Sequence, residues 1–203
     1  MRTVARAFSV LSAKQVAAYH DQGYLVLPKF LHAAEADALK AQALALVSQW
    51  EPAKRAQVFT TTEQEKQNND YFMASSENIS FFLEDGAQDA SGRLVRPKEE
   101  SINKIAHAMH DLDPVFSRLS YRPEYRTIVS QLGYRKPVIV QSMYIMKPPG
   151  LGGEVVPHQD STYIISKPSS CMGIWLAVED ATVRNACLYA VPGSHRKVLS
   201  STG

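Results

Sequence analysis

Residues 137–147, PVIVQSMYIMK, mark a change of period along the chain. Before this stretch, apolar residues recur at the spacing of amphipathic helices, and after it β-branched and aromatic residues dominate. Runs of the same strand-like character follow at 155–165, 172–179 and 187–191, separated by breaks rich in Pro, Gly and Ser. We therefore expect an α+β, mainly β domain in which N-terminal helices pack on a sandwich or barrel of short strands.

The N-terminal half carries the start and stop signals of helices. Ser12 followed by Gln15 predicts a capping box, and Gly23 is placed to end the helix that this box opens. A second helix is predicted over 33–50, where apolar residues follow a one-faced helical period and Pro52 stops the pattern. Both helices therefore have an apolar face that must pack on something.

The remaining helical signals lie on either side of a polar stretch. Residues 52–70 have no period and predict a loop. Asp113 and Pro114 are typical of the cap and first turn of a helix, and Pro123 starts another that closes at Gly133. We accordingly assign 1–10 to an N-terminal extension, 11–135 to a helical layer and 136–203 to the first core strands.

Composition excludes several classes of protein. The 203 residues are 45% apolar and 21% charged, and 22 basic against 20 acidic side chains leave a net charge of +2. This balance argues against nucleic-acid binding, and no apolar run approaches the roughly 18 residues of a membrane span. Two distant cysteines argue against a disulfide framework. With no recognisable targeting signal, the expected location is the cytoplasm.

Residues 152–163, GGEVVPHQDSTY, are the stretch of the chain that is most informative about chemistry. On a strand, His158 and Asp160 project from one face while Gln159 points the other way. An imidazole and a carboxylate on one face are two thirds of the 2-His-1-carboxylate triad, which binds iron(II) and leaves positions open for a cosubstrate and oxygen. A hydrogen-bonded structural pair is the more common meaning of a His-x-Asp pattern.

Six blocks follow one another along the chain: YFMASSENISFFLEDGA, EESINKIAHAMHDLDPVF, VIVQSMYIMKPP, PHQD, GIWLAVEDAT and LYAVPGSH. In this order they resemble the phytanoyl-CoA dioxygenase family, and the resemblance extends over about residues 11–195. It implies a double-stranded β-helix, a cupin-like jelly roll with helices packed on one sheet. It also implies an oxidoreductase that uses iron(II), 2-oxoglutarate and O2 to oxidise an organic substrate, with a fatty acyl-CoA or another small metabolite as the class of substrate.

The resemblance also implies roles for individual residues. His158 and Asp160 match iron ligands, Lys104 matches a lysine that holds 2-oxoglutarate, and the residues expected to line the cosubstrate pocket are Gln141, Met143, Gln159 and Trp175. A lysine is a suitable point charge for a dianion. Taken without the resemblance, Lys104 is a solvated surface lysine, and Met143 and Trp175 are core residues.

Other histidines and the cysteines have plainer interpretations. His107 and His110 are three apart, but no local third ligand accompanies them, so we expect structural or supporting roles. In the family His195 lies in a turn and is not a ligand. Cys171 and Cys187 are expected to behave as small buried hydrophobes.

The chain also departs from the family pattern. The family's second histidine ligand and an arginine that pairs with 2-oxoglutarate lie beyond the PGSH block, and the sequence ends eight residues after His195. We therefore expect a C-terminally incomplete jelly roll, inactive as it stands, with exposed strand edges that favour self-association. Two alternatives stay open: a non-catalytic interaction fragment of the same fold, and a cupin-like zinc hydrolase using His158 and Asp160.

Overall fold

The computed structural model describes residues 11–52, 57–59 and 70–197. The predicted N-terminal extension, 1–10, lies outside these residues, as does most of the predicted loop at 52–70. The described residues form two compact units. One contains residues 11–30, 120–138 and 189–197, and the other contains the described parts of 31–119 and 139–188.

Helices and strands alternate along the chain more often than the sequence predicted. The α-helices are α1 (Ala13–Gln22), α2 (Ala33–Gln49), α3 (Asp70–Ala74), α4 (Met109–Leu112), α5 (Pro114–Ser120) and α6 (Pro123–Gln131). The strands are β1 (Gln57–Val58), β2 (Ile79–Leu83), β3 (Ile102–His107) and β4 (Ser142–Ile145). Within the described parts of the chain, no helix combines the length and the apolar character needed to cross a bilayer.

The first unit is built around α1 and α6. The predicted capping box is confirmed, because the Ser12 hydroxyl accepts a hydrogen bond from the Gln15 backbone N–H at 3.3 Å while the Gln15 side chain accepts one from the Ser12 N–H at 2.9 Å. Gly23 ends α1 in the left-handed region at φ 85°, as predicted. The start of α1 is tied to the end of α6 by the Gln131 side chain, which accepts from the Leu11 N–H at 2.9 Å.

The second unit contains a four-stranded mixed sheet with the order β1-β2-β3-β4. β1 is parallel to β2, and the pairs β2–β3 and β3–β4 are antiparallel. The register aligns Phe82, Lys104 and Ile145 across three strands. Directly opposed residues share a face of the sheet, so this row fixes what lies beside Lys104.

Helix α2 supplies one layer of the core. Its buried residues Leu39, Ala43 and Val47 are four apart, which places them on one face of the helix, as its period predicted. Trp50, directly after the helix, stacks on Phe81 of β2 with 4.8 Å between ring centroids. Burial of each large apolar side chain contributes about 1.5–3 kcal/mol, so this contact fastens the helix to the sheet.

The helices and sheet confirm an α+β arrangement, but the predicted positions of the strands were largely wrong. Three of the four described strands precede residue 136, inside the predicted helical layer. Of the predicted runs, only 137–147 contains a strand, and 155–165, 172–179 and 187–191 contain none. Residues with a high strand propensity form strands because their side chains pack against those of neighbouring strands. Among the described residues no strand lies beside these runs, and Val155, Val156 and Ile165 are more than half exposed.

Candidate active site

His158 and Asp160 come together at the surface of the second unit. The His158 Nε2 and Asp160 Oδ1 atoms lie 3.4 Å apart, and the two side chains are 40% and 58% exposed. The proximity of the two side chains does not come from the predicted strand, because Asp160 begins the 3-10 turn Asp160–Thr162. The chain turns at this point and brings the carboxylate back towards the imidazole.

The hydrogen bonding of His158 determines which ring nitrogen can bind a cation. Its Nδ1 lies 2.8 Å from the backbone carbonyl oxygen of Val156, which can only accept, so Nδ1 carries the proton. Nε2 is then the ring nitrogen that faces the Asp160 carboxylate. At this distance the two atoms can share a proton, as a hydrogen-bonded pair, or bind one cation together.

The segment that carries Trp175 passes beside Asp160. A β-carbon on Gly173 would lie 3.7 Å from Asp160 Oδ2, and the Cys171 pKa is raised by burial and then by the Asp160 charge. Trp175 itself is 50% exposed, so it is not a core residue. Cys171 and Cys187 are free and only partly buried, which corrects the prediction of buried cysteines.

Lys104 is buried in the sheet, which excludes the alternative of a solvated lysine. It is 7% exposed, and its Nζ atom lies 3.3 Å from the centre of the Phe59 ring and 5.4 Å from that of Phe82. Burial lowers the pKa of the ammonium from 10.5 to about 8, and the nearby Glu84 charge opposes this fall. Lys104 is therefore a cation held by aromatic faces in a dry environment.

Met143 lies on the same sheet face as Lys104, two residues along β4 from the residue directly opposite the lysine. Lys104 pairs with Ile145, and Ala106 pairs with Met143. The side chains of Met143 and Ile145 are 43% and 47% exposed, so they line an open face and are not core residues. Gln141 lies just before β4 and is half-buried.

The two groups of predicted site residues make no direct contact with each other. Among the residues that the structure describes, no hydrogen bond, ion pair or ring contact joins His158 or Asp160 to Lys104 or Met143. Gln159 lies between the two cation ligands and precedes the 3-10 turn. Within the described parts of the chain, no cluster of three or more His, Cys, Asp or Glu side chains is arranged to hold a metal.

The remaining histidines occupy structural positions. His107 Nδ1 lies 2.7 Å from the Ser75 hydroxyl, and burial followed by the Lys104 charge lowers the His107 pKa to about 4. His110 Nδ1 lies 2.9 Å from the Ser142 hydroxyl. In the first unit, His195 Nε2 lies 3.1 Å from the His20 carbonyl oxygen at the end of α1. The contacts of His107 and His110 agree with the structural or supporting roles predicted for these two residues.

Glu84 is the charged residue that the sequence analysis missed. It follows β2, is 6% exposed, and its Oε2 atom accepts a hydrogen bond from Asn103 Nδ2 at 3.0 Å. Burial raises its pKa, although Asn103, Lys147 and Lys104 lower it. The signal was an acid directly after the apolar run ISFFL, which is uncommon unless the acid has a partner.

Comparison with known proteins identifies the class of protein that this site belongs to. A family model described as Phytanoyl-CoA dioxygenase (PhyH) matches residues 19–201. The chain therefore belongs to the phytanoyl-CoA dioxygenase family, a family of 2-oxoglutarate-dependent oxygenases.

The chain is similar to several curated members of this family. It is 44% identical over 189 residues to "Phytanoyl-CoA dioxygenase" of Arabidopsis thaliana and 47% identical over 189 residues to "Phytanoyl-CoA dioxygenase 1" of Oryza sativa subsp. japonica. These matches cover 93% of the chain. It is 42% identical over 192 residues, 92% of the chain, to "Phytanoyl-CoA dioxygenase domain-containing protein 1" of Danio rerio. The chain spans 66% of the length of each of these relatives.

Proposed function

We propose that the protein is the greater part of an iron(II)- and 2-oxoglutarate-dependent dioxygenase that oxidises a small organic substrate. The observation that carries this proposal is the facing pair of acceptors, His158 Nε2 and Asp160 Oδ1, with the imidazole fixed by Val156. Iron(II) bound between them would supply oxygen activation and the oxidising power for attack on a C–H bond.

The chain's own residues have separate roles in this proposal. His158 and Asp160 hold the metal, and the hydrogen bond to Val156 keeps the ring oriented for it. Lys104 supplies a positive charge for a carboxylate of 2-oxoglutarate. Met143 provides an exposed apolar wall on the same sheet face, and Gln141, Gln159 and Trp175 complete the proposed pocket.

We also propose that the active form carries more of the relatives' length than the 66% that these 203 residues span. The third metal ligand, a histidine, and an arginine for 2-oxoglutarate would come from that part, together with the strands that complete a jelly roll. The partly exposed runs at 155–165 and 172–179 are the segments that such strands would pair with.

Metal binding tests the ligand assignment without depending on activity. Iron(II) or cobalt(II) titrated by calorimetry should bind the extended protein with a lower affinity in the Asp160→Ala variant, by at least tenfold, because one of its few charged ligands is removed. Asp180→Ala, which removes an exposed acid outside the site, is the matched control and should bind the metal normally. Equal metal retention in Asp160→Ala and Asp180→Ala would refute the assignment.

Turnover tests the remainder of the proposal. We expect no release of succinate from 2-oxoglutarate by the 203-residue chain with added iron(II), and release after extension through the missing histidine and arginine. A non-catalytic interaction fragment, the second candidate, is favoured by the absence of a third ligand among the described residues. It would be supported if the extended protein bound metal but released no succinate.

The partners and the location follow as proposals of the same kind. The substrate class is a fatty acyl-CoA or another small metabolite, and we propose a cytoplasmic protein without a nucleic-acid partner. The outer edge of β4 is unpaired among the described strands and has apolar neighbours, so the 203-residue chain should self-associate through it. Sedimentation velocity over a range of concentrations would measure this association.

A further inference from the structure

The Phe59 ring lies against the ammonium group of Lys104. Phe59 directly follows β1, and its backbone N–H donates to the Leu83 carbonyl oxygen of β2 at 2.8 Å, which continues the pairing of the two strands. Gln57 of β1 and Lys104 of β3 are both opposite Phe82. Because side chains alternate along a strand, Phe59 lies on the sheet face of Gln57, which is also that of Lys104. The Lys104 Nζ atom lies 3.3 Å from the centre of the Phe59 ring.

The ammonium group of Lys104 depends on aromatic rings for the stabilisation of its charge. Lys104 is 7% exposed, and among the described residues its Nζ atom makes no hydrogen bond and no ion pair. A buried ammonium without a compensating contact is costly, and the face of an aromatic ring offers such a contact. Phe59 is closer to Nζ than Phe82, at 3.3 against 5.4 Å. The charge of Glu84 also favours the ammonium, and His107, whose pKa is about 4, is neutral above pH 6.

We propose that Phe59 is a positioning residue for Lys104, and that its ring keeps the buried ammonium charged and available to an anion. A carboxylate in place of the ring would form an ion pair with Lys104 and compete with any anion that binds there. An aromatic face stabilises the ammonium without neutralising it, so the charge is still available. The part of this inference that concerns 2-oxoglutarate rests on the proposed function above. Phe59 thereby acts on the anion through Lys104.

Fluorination of the Phe59 ring tests this role at nearly constant size. Fluorine withdraws electron density from the ring face, so phenylalanine analogues with one, two and three fluorine atoms at position 59 attract a cation progressively less. In the extended protein labelled with 13C-lysine, the ε-methylene resonance of Lys104 is assigned by its loss in Lys104→Arg. The midpoint of its titration should fall step by step along the series, by about one pH unit with three fluorine atoms.

The same analogues at Phe116 are the matched control. Phe116 is a buried ring of the same unit that packs edge-on against Tyr144, with 6.0 Å between ring centroids, so fluorination there should leave the Lys104 midpoint unchanged. A constant midpoint along the Phe59 series, or an equal fall along the Phe116 series, would overturn the proposal. If the fluorinated proteins do not fold, Phe59→Tyr, which keeps an aromatic face, should have a higher midpoint than Phe59→Leu. An equal or lower midpoint in Phe59→Tyr would equally overturn it.

Addition of 2-oxoglutarate distinguishes this inference from the proposed function. A dianion bound at Lys104 should raise the midpoint of its titration. At pH 8 the affinity for 2-oxoglutarate should fall about fivefold with three fluorine atoms on Phe59, because a midpoint one unit below 8 lowers the charged fraction from about one half to about one tenth. At pH 6, where Lys104 stays charged, the affinity should change little. No response to 2-oxoglutarate in the extended protein would contradict the proposed cosubstrate site, whereas the effect of Phe59 fluorination on the titration would stand.

Discussion

Replacement of Lys104 by Met should stabilise the protein at neutral pH. The side chain is 7% exposed and its pKa falls from 10.5 to about 8 on folding, because burial disfavours the charged form. At 1.36 kcal/mol per pH unit, this corresponds to about 3 kcal/mol of lost stability at pH 7. Met has nearly the same volume and no charge, so Lys104→Met should recover most of that free energy while it keeps the contact with Phe59.

The stability advantage of Lys104→Met over the wild type should change with pH, in a direction set by the pKa of Lys104. Between pH 8 and 10.5 the unfolded chain binds more protons at Lys104 than the folded protein does, so the free energy of unfolding contributed by this group rises with pH over that range. The advantage of Lys104→Met should therefore be largest at pH 7 and fall below about 1 kcal/mol by pH 10.

Urea denaturation, followed by circular dichroism at pH 7, 8, 9 and 10, measures this advantage for wild type and variant. Measurements stop at pH 10 because burial, with Tyr134, raises the Tyr19 pKa to about 12, which gives that group its own pH dependence above pH 10. Lys14→Met, at an exposed lysine of α1, is the matched control and should follow the wild type at every pH. A stability difference between wild type and Lys104→Met that stays constant from pH 7 to pH 10 would refute the reasoning.

Two further variants test the packing of each unit. Gly23→Ala should lower the free energy of unfolding by more than the roughly 1 kcal/mol that an alanine costs in the left-handed region, because its β-carbon would overlap the His195 ring. Gly92 has φ +78° and nothing within 4 Å of a β-carbon, so Gly92→Ala should show only the conformational cost in the same urea titration. Asp113→Ala should lower the free energy of unfolding by about 1–2 kcal/mol, because the Asp113 Oδ1 atom accepts hydrogen bonds from the N–H groups of Val115 and Phe116 at 2.9 and 3.0 Å. Equal stability of Asp113→Ala and the wild type would contradict this capping role.

Local signals predicted the helices well. The capping box at Ser12, the stop at Gly23 and the buried stripe of α2 depend on contacts within a few residues, which the sequence displays directly. The strands were harder, because a run such as 155–165 forms a strand only where another strand pairs with it. Conversely, β2 and β3 were missed inside a region rich in helical signals, although ISFFL carries an isoleucine and two phenylalanines and INKIAH carries two isoleucines.

The candidate site was predictable to a similar extent. The spacing of His158 and Asp160 was a correct guide to their proximity, although the reason was a 3-10 turn and not strand alternation. Glu84 was missed because its importance comes from a neighbour nineteen positions away, Asn103, and from space left by Gly152. Such contacts between distant segments leave no local pattern.

The energetics of the two charged groups differ in a way that bears on function. His158 and Asp160 are largely exposed, so the fold loses little stability by holding them together. Lys104 is different, because its ammonium is buried over aromatic rings and lowers the stability of the folded state. A methionine at this position would satisfy packing and would remove the cost of a buried charge, and of the charges that act on Glu84 it would remove the one with the smallest effect, so stability alone does not explain the lysine. A charge kept at such a cost on an otherwise apolar sheet face is best explained by an anion that binds there, which is the role proposed for 2-oxoglutarate.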